Sequence, residues 1–363
     1  MFRRHCAGKE GTAMRLSVII PAYNCAATIG DTLESLMAQT MADLEIIIIN
    51  DGSTDNTLEV LERYVRGDEH IRVISVENSG PASARNLGIR EAEGDYLYFM
   101  DSDDLILPDM LRDMIQLAEK HDLDCVACGY TMENVSGSHT HSKVFGYEDF
   151  VAETPEEYRA RLMDMIKAHL MYVVWNKIFR TSLIKENGIL FGDFFSGEDR
   201  LFNTQTFPFI RRFGFLNKPY YRYFLRGQKT LANRYLDNRF ESALACHTAL
   251  IDAYRKMGLY DEQNRQYIDF VFVKGVMSCF TQLNAKGCPM KWKEKKAFIR
   301  ETLQNSYVSA AIHSTDADVG YSKMVNRILC TGNAALIYLM AKAVYLLQFR
   351  LNSLYLNLKH GKS

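Results

Sequence analysis

The chain has 363 residues, and its 43 Lys and Arg against 44 Asp and Glu give a formal net charge of −1. That balance supplies none of the basic footprint of a nucleic-acid binder. The length exceeds one average domain, and a hydrophobic content of 47% allows a sizeable core, so one main domain with a substantial extension is expected.

Residues 1–14 lack the apolar core of a signal peptide and read as a disordered lead-in, with Met14 as a second candidate start. From Leu16 the pattern changes. LSVIIPAYN is an apolar run ending in Pro, Tyr and Asn, a buried strand followed by a loop. ATIGDTLESLMAQT carries Ile29, Leu33, Leu36 and Met37 at helical spacing. LEIIIIND is a continuous β-branched run of the kind found in parallel strands covered on both faces. GSTDNTLEVLERYV predicts a helix, with Ser53, Thr54 or Asp55 available as its N-cap. IRVISVEN is a third strand, SARNLGIREAEG a third helix and YLYFMD a fourth strand. Strand and helix alternate here with short loops, which predicts right-handed βαβ units in a mostly parallel, open sheet flanked by helices.

Cys125 and Cys128 form a CxxC inside the probable strand DCVACGY. A zinc site needs a second ligand pair and none is present, so both read as buried thiols. With Cys6, Cys25, Cys246, Cys279, Cys288 and Cys330 they lack framework spacing, which suits reduced thiols in the cytoplasm. ENVSGSHTHSKVFGYED reads as a surface loop with His139 and His141 solvated, and Tyr158 to His169 as a helix. From about Asn238 to Tyr307 the pattern is helical. AALIYLMAKAVYLLQF is short for a spanning helix, with Lys342 near its middle; with the mixed apolar and basic FRLNSLYLNLKHGK it reads as an amphipathic helix in a headgroup region or one packed on protein. The resulting divisions are 1–14 (lead-in), 15–130 (first half of the main domain), 131–235 (second half of the main domain), 236–330 (helical extension) and 331–363 (amphipathic, membrane-leaning helix).

The four strands deliver polar, turn-forming or acidic residues to one sheet edge: Pro21-Ala22-Tyr23-Asn24, Asn50-Asp51-Gly52-Ser53, Glu77-Asn78-Ser79-Gly80 and Asp101-Ser102-Asp103-Asp104. Ligands of open α/β sheets bind beyond such strand ends. Asp101, Asp103 and Asp104 need a partner, because like charges this close oppose one another's ionisation. A hard cation, Mn2+ or Mg2+, bound by Asp103 and Asp101 together with a diphosphate would provide one; Asp104 or Asp109 could instead cap the next helix. No Walker A or GxGxxG sequence follows a strand, so the metal and basic side chains such as Arg85 must hold any phosphate.

LSVIIPAYN, IIIINDGSTDNT and NSGPASARNLGIREAEGDYLYFMDSDD in this order resemble glycosyltransferase family 2, the inverting nucleotide-sugar transferases of GT-A fold. WNKIFR, GILF and GEDRLF extend the likeness toward the bacterial members that build capsule, exopolysaccharide or cell-wall glycans. The resemblance implies that Pro21, Ala22 and Tyr23 line the nucleotide base and that Asp51 accepts a hydrogen bond from the uracil ring. It places Arg85 by the base or diphosphate with Ser102 nearby, makes Asp103 the principal metal ligand supported by Asp101, and makes Asp199 the catalytic base with Glu198 beside it. Adjacent residues on a helix or strand point in different directions, so one of these two acids is expected to face the acceptor and the other to support the structure. Lys177 or Arg180 would bind diphosphate or anchor subdomains, and Arg226 or Lys229 belongs to a post-catalytic stretch. Without the resemblance, GED reads as a helix start capped by Ser196.

The implied activity is metal-dependent transfer of a hexosyl or N-acetylhexosaminyl group from a UDP-sugar to a growing, lipid-linked glycan at the cytoplasmic membrane face. Two rivals are a Mg2+-dependent nucleotidyltransferase and a non-catalytic nucleotide-sugar or glycan-binding relative. The first wants a glycine- and lysine-rich loop that PAYNCAATIG does not supply, and the second has no use for a base.

Overall fold

A computed structural model describes residues 15–41, 43–66, 68–136, 139–194, 196–226, 234–314 and 320–350. The predicted lead-in, Lys229 and the tail beyond 350 lie outside the described residues. The chain divides into two compact units, 1–227 and 228–363.

The first unit opens as the sequence predicts: β1 (Leu16–Ala22), α1 (Ile29–Met37), β2 (Leu44–Asp51), α2 (Thr57–Val65), β3 (Ile71–Val76), α3 (Pro81–Glu91) and β4 (Tyr96–Phe99). These strands lie parallel in the order β3-β2-β1-β4. Every residue of β2 is buried, because a parallel strand with helices on both faces has no solvent side. The rest of the unit adds β5 (Leu105–Ile106), α4 (Met110–His121), β6 (Cys125–Ser136), β7 (His139–Phe145), β8 (Phe150–Ala152), α5 (Pro155–Lys167), β9 (Lys177–Arg180), α6 (Thr181–Glu186), α7 (Glu198–Thr206) and β10 (Phe213–Arg226). They complete a ten-stranded mixed sheet, β3-β2-β1-β4-β9-β6-β10-β5, with β7 on β6 and β8 on β10. β9 is antiparallel to both neighbours, whereas β6 and β10 run parallel.

Three local expectations are corrected. The segment read as a surface loop is largely a hairpin: β6 runs on to Ser136 and pairs with β7, whose polar residues hide a ladder sustained by backbone hydrogen bonds. The N-cap of α2 is Asn56, although Asp55 accepts the Thr57 N–H at 3.0 Å from just outside the helix. α5 starts three residues earlier than expected, because Thr154 accepts the Glu157 N–H and Pro155 holds the first position. The two thiols of the CxxC are buried in β6 and unbonded, as predicted.

The second unit is helical: α8 (Arg239–Lys256), α9 (Glu262–Gln282), α10 (Trp292–Gln304), α11 (Ser306–Ser314), α12 (Gly320–Cys330) and α13 (Ala334–Arg350). Its core joins Phe272, Val276 and Phe280 of α9 to Ile299, Val308, Ile337 and Ala341. One face of α13 is therefore packed on protein. No helix among the described residues is long and apolar enough to cross a membrane.

One close approach positions the active-site face. A Cβ on Gly88 would collide with the buried side chain of Ile19, so only glycine lets α3 lie this close to β1, and the preceding helical turn carries Arg85 in over the strand ends. Gly88→Ala is expected to lower unfolding stability by about 1–3 kcal/mol through overpacking. This reverses the gain of up to roughly 1 kcal/mol that Ala normally brings to a helix interior, and urea denaturation measures it directly.

Candidate active site

The carboxyl ends of β1, β2 and β4 converge as the strand order requires. Asn24 ties two of the loops together, accepting the Thr54 N–H at 2.8 Å while its own N–H donates to Ser53 Oγ. Ala22 is buried, Pro21 is half-buried, and Tyr23 stands exposed at the mouth. Asp51 is buried at the end of β2 and its two oxygens accept the N–H groups of Ser79 and Gly80 at 2.8 and 2.9 Å. Its carboxylate thus fixes the β3–α3 loop from across the sheet. Ser102 is half-buried, and its carbonyl accepts the Thr28 hydroxyl.

Arg85 is the hub. Its buried guanidinium donates to Asp101 Oδ1 at 2.7 Å, while Nη1 lies 3.3 Å from Asp199 Oδ1 and 3.6 Å from Glu198 Oε1. The Phe191 ring packs 5.3 Å from the guanidinium carbon and stacks in turn on Phe202. The neighbouring Asn86 exchanges two hydrogen bonds with the backbone of Phe191, which locks α3 to that segment. Glu198 and Asp199 occupy the first turn of α7, where the helix dipole favours acids. The helix is entered through Gly197 at φ 93°, a left-handed conformation that glycine adopts without strain. Gly197, and not the expected Ser196, is the N-cap. The two acids do not diverge as neighbours on a regular element should, because both reach the same guanidinium.

One cation facing three carboxylates leaves excess negative charge in a partly buried place. Burial therefore pushes the Asp199 carboxyl up to about 7, with Glu198 and Asp101 adding to the rise and Arg85 and Lys177 opposing it. Burial likewise raises Glu198 against the pull of Arg85. Asp199 keeps 21% of its side chain exposed, and its Oδ1 makes no hydrogen bond.

The three acids after β4 have separate fates. Asp104 is fully buried, accepting the Tyr221 hydroxyl at 2.7 Å and the Phe224 N–H at 2.9 Å; burial beside Asp101 and Asp103 pushes it up to about 8. It secures β10 to the strand end and caps nothing. The N-cap of α4 is Asp109, without a side-chain bond. Asp101 is bound to Arg85. Asp103 alone turns outward, its side chain 51% exposed and 3.5 Å from Arg226, which also bonds the Asp103 carbonyl.

Arg226, left undecided beside Lys229 by sequence reasoning, thus joins the site. The signal for it was its place at the end of the run YYRYFLR, in the stretch that resembles the family's post-catalytic segment. Lys177 is an anchor and not a phosphate ligand: its buried ammonium donates to the carbonyls of Leu170 and Val173 and to Asn176 Oδ1. Arg180 pairs with Asp122 and Asp124. Trp175 stacks on Tyr221 and Tyr223 at 4.2 and 5.4 Å. Among the described residues, no group of three or more His, Cys, Asp or Glu is arranged to hold a metal by itself.

Removing the hub leaves its carboxylates unpaired in a low-dielectric place. Arg85→Met is expected to cost about 3–5 kcal/mol, far more than the same change at a surface arginine, with the denaturation midpoint as the readout.

The model for "Glycosyl transferase family 2" matches residues 17–187. The chain is 30% identical over 309 residues to the uncharacterized glycosyltransferase EpsJ of Bacillus subtilis, an alignment that covers 83% of this chain and 86% of EpsJ. It is 31% identical over 216 residues to the poly(ribitol-phosphate) beta-N-acetylglucosaminyltransferase TarS of Staphylococcus aureus, covering 58% of this chain and 35% of TarS. The crystal structure of TarS 1–349 in complex with UDP-GlcNAc superposes with a TM-score of 0.65 at 24% identity, over 92% of this chain and 91% of that one. The mannosyltransferase PcManGT of Pyrobaculum calidifontis, in complex with GDP-Man and Mn2+, gives a TM-score of 0.50 at 17% identity over 91% and 88%. The 30% identity to EpsJ over 83% of the chain, with the match to the family model, places the chain in glycosyltransferase family 2.

Proposed function

We propose that this glycosyltransferase moves a hexosyl or N-acetylhexosaminyl group from a UDP-sugar to a hydroxyl of a lipid-linked, growing surface glycan, with inversion, at the cytoplasmic face of the cell membrane. The observation that carries the reading is the position of Asp199. It is a partly exposed carboxylate at a helix start beyond the strand ends, held by Arg85 through its buried Oδ1. In the reaction the acceptor oxygen attacks the anomeric carbon and its proton passes to Asp199. The anomeric C–O bond breaks with its electron pair leaving on the nucleoside diphosphate. A base whose pKa lies near neutrality suits that proton transfer. Glu198 and Asp101 act through Arg85, which orients Asp199 and leaves the diphosphate to other groups. The uracil ring would lie against Pro21 and Tyr23, with Ala22 buried beneath them and Asp51 holding the loop 77–80. UDP as the donor nucleotide is supported by the TarS complex, and a cell-wall acceptor by the activity for which TarS is named.

The residues fit a hard divalent cation. Asp104 is locked and Asp101 is committed to Arg85, so Asp103 offers the one outward carboxylate, and Mn2+ and Mg2+ habitually take one or two carboxylates with phosphate and water oxygens. PcManGT, of like fold, carries Mn2+. When bound, such an ion supplies charge to the leaving diphosphate. Arg226 lies beside that place.

Two measurements test the reading. Calorimetric titration with UDP, with GDP and CMP as controls, should show binding that strengthens with Mn2+ and loses the metal-dependent part, about tenfold or more, in Asp103→Ala; no metal-dependent binding of any nucleotide would sink the donor site. Asp199→Asn should bind UDP normally but lose roughly 10²–10⁴ in turnover. For wild type, kcat/KM should rise about tenfold per pH unit below 7 and level off above it, because only the ionised carboxylate accepts the proton. A flat profile from pH 5 to 9 assigns the base elsewhere.

A further inference from the structure

The outer face of the helical unit combines features that neither its fold nor the donor site uses. Trp292 opens α10 with 44% of its surface exposed, and on α13 Leu336 and Leu339 face outward at 40% and 59%. These are not scattered side chains. The Trp292 ring meets Tyr338 at 4.8 Å edge to face, Lys296 Nζ lies 5.1 Å from the Trp292 ring, and Lys295 Nζ lies 5.7 Å from the Tyr338 ring. The inner face of α13 is already used on the core through Ile337, Met340, Ala341 and Val344, so the exposed parts of Leu336 and Leu339 add nothing to that core. Between residues 286 and 300 six cationic side chains accompany one carboxylate, Glu294, and that carboxylate is engaged by the Lys291 N–H. Lys342 stands exposed on the same stretch of α13 as Leu339.

Exposed leucines beside aromatic rings, with lysines around them, match a bilayer surface better than a protein partner. Lysine stems lie along apolar surface while the ammonium groups reach phosphate, and Trp and Tyr rings favour the headgroup layer, where one end is apolar and the other wet. The described 17 residues of α13 measure about 26 Å, long enough to lie in the interface. The sequence beyond it continues in the same idiom, with Leu351, Leu354, Tyr355, Leu356 and Leu358 followed by Lys359 and Lys362. We propose that the start of α10 and the outer face of α13 form one docking surface for anionic lipid headgroups, with Trp292, Leu336 and Leu339 entering the interface and Lys293, Lys296 and Lys342 contacting phosphate. This deepens the membrane-face part of the reading above, which rests on acceptor chemistry, by naming the surface responsible.

The chain carries its own probe. Of its two tryptophans, Trp175 is buried in the first unit and Trp292 is exposed, so a change in emission on adding vesicles reports Trp292. The full chain should co-sediment with vesicles of phosphatidylcholine and 30% phosphatidylglycerol and show blue-shifted emission. Vesicles of phosphatidylcholine alone should bind it weakly. Lys293→Ala with Lys296→Ala should weaken binding roughly thirtyfold, since each lysine near an anionic surface contributes about fivefold. Leu339→Ser, at an exposed position, should weaken binding most at high salt, where the apolar part dominates. Three results would overturn the proposal: no vesicle binding, binding with unchanged tryptophan emission, or a dimer in sedimentation that Leu339→Ser abolishes, which would make a second copy the occupant. Polyphosphate that binds equally well without shifting the emission would likewise assign the lysines to a soluble polyanion. UDP titration on the same samples keeps the questions apart, because failure of the donor site leaves the vesicle result standing, and the reverse.

Discussion

The buried guanidinium of Arg85 is the interaction on which the rest of the first unit depends. It brings together three pieces distant in sequence: α3, the end of β4 through Asp101, and the first turn of α7 through Glu198 and Asp199. Burying a charge is tolerable only with close opposite charge and hydrogen bonds, and here the opposite charge is in excess. The arrangement is therefore strained electrostatically, and the strain is expressed as a carboxyl at Asp199 that gives up its proton near neutrality. Such a pairing is poor value as stabilisation, since apolar groups could fill the same volume. In the proposed reaction its use lies in holding Asp199 in a defined place with a proton affinity that suits a base.

Environment alone divides the labour among chemically identical groups. Asp51 and Asp104 are buried and fully engaged, one by two backbone N–H groups of the β3–α3 loop, the other by a tyrosine hydroxyl and a backbone N–H. They set backbone geometry. Asp101 serves Arg85, Asp103 looks outward, and Asp199 faces Arg85 with its buried Oδ1 while part of its side chain stays exposed. The aromatic packing is part of the same division: Phe191 and Phe202 wall off Arg85 from behind, keeping water from screening its attraction for the acids.

What was legible in the sequence follows from how far each signal reaches. β1 to β4 and their helices were legible because periodicity is a local property and the runs are long and apolar. The convergence of four polar strand ends followed from parallel topology alone. The hub did not follow, because nothing within several residues of Arg85 announces that its partners sit at 198 and 199. A surface reading of an arginine near acids assigns it to phosphate by default. The same limit hid the partner of Asp104, which comes from β10 more than a hundred residues away, and the hairpin of β6 and β7, whose polar residues conceal pairing that only the neighbouring strand reveals. The helix starts were misjudged by a residue or more, since Gly197 and Asn56 begin their helices without a side-chain bond to mark them.

The charge at the strand ends carries a last consequence. A nucleoside diphosphate brings more negative charge to a cleft where Asp101, Glu198 and Asp199 already outnumber Arg85, and where Asp103 faces outward. Unscreened, donor and site would repel one another, and the repulsion would grow as Asp199 ionises above neutrality. Positive charge must therefore arrive with the donor or be supplied beside Asp103, and the two sources on hand are the proposed divalent cation and the guanidinium of Arg226, which in the free protein lies against that same carboxylate.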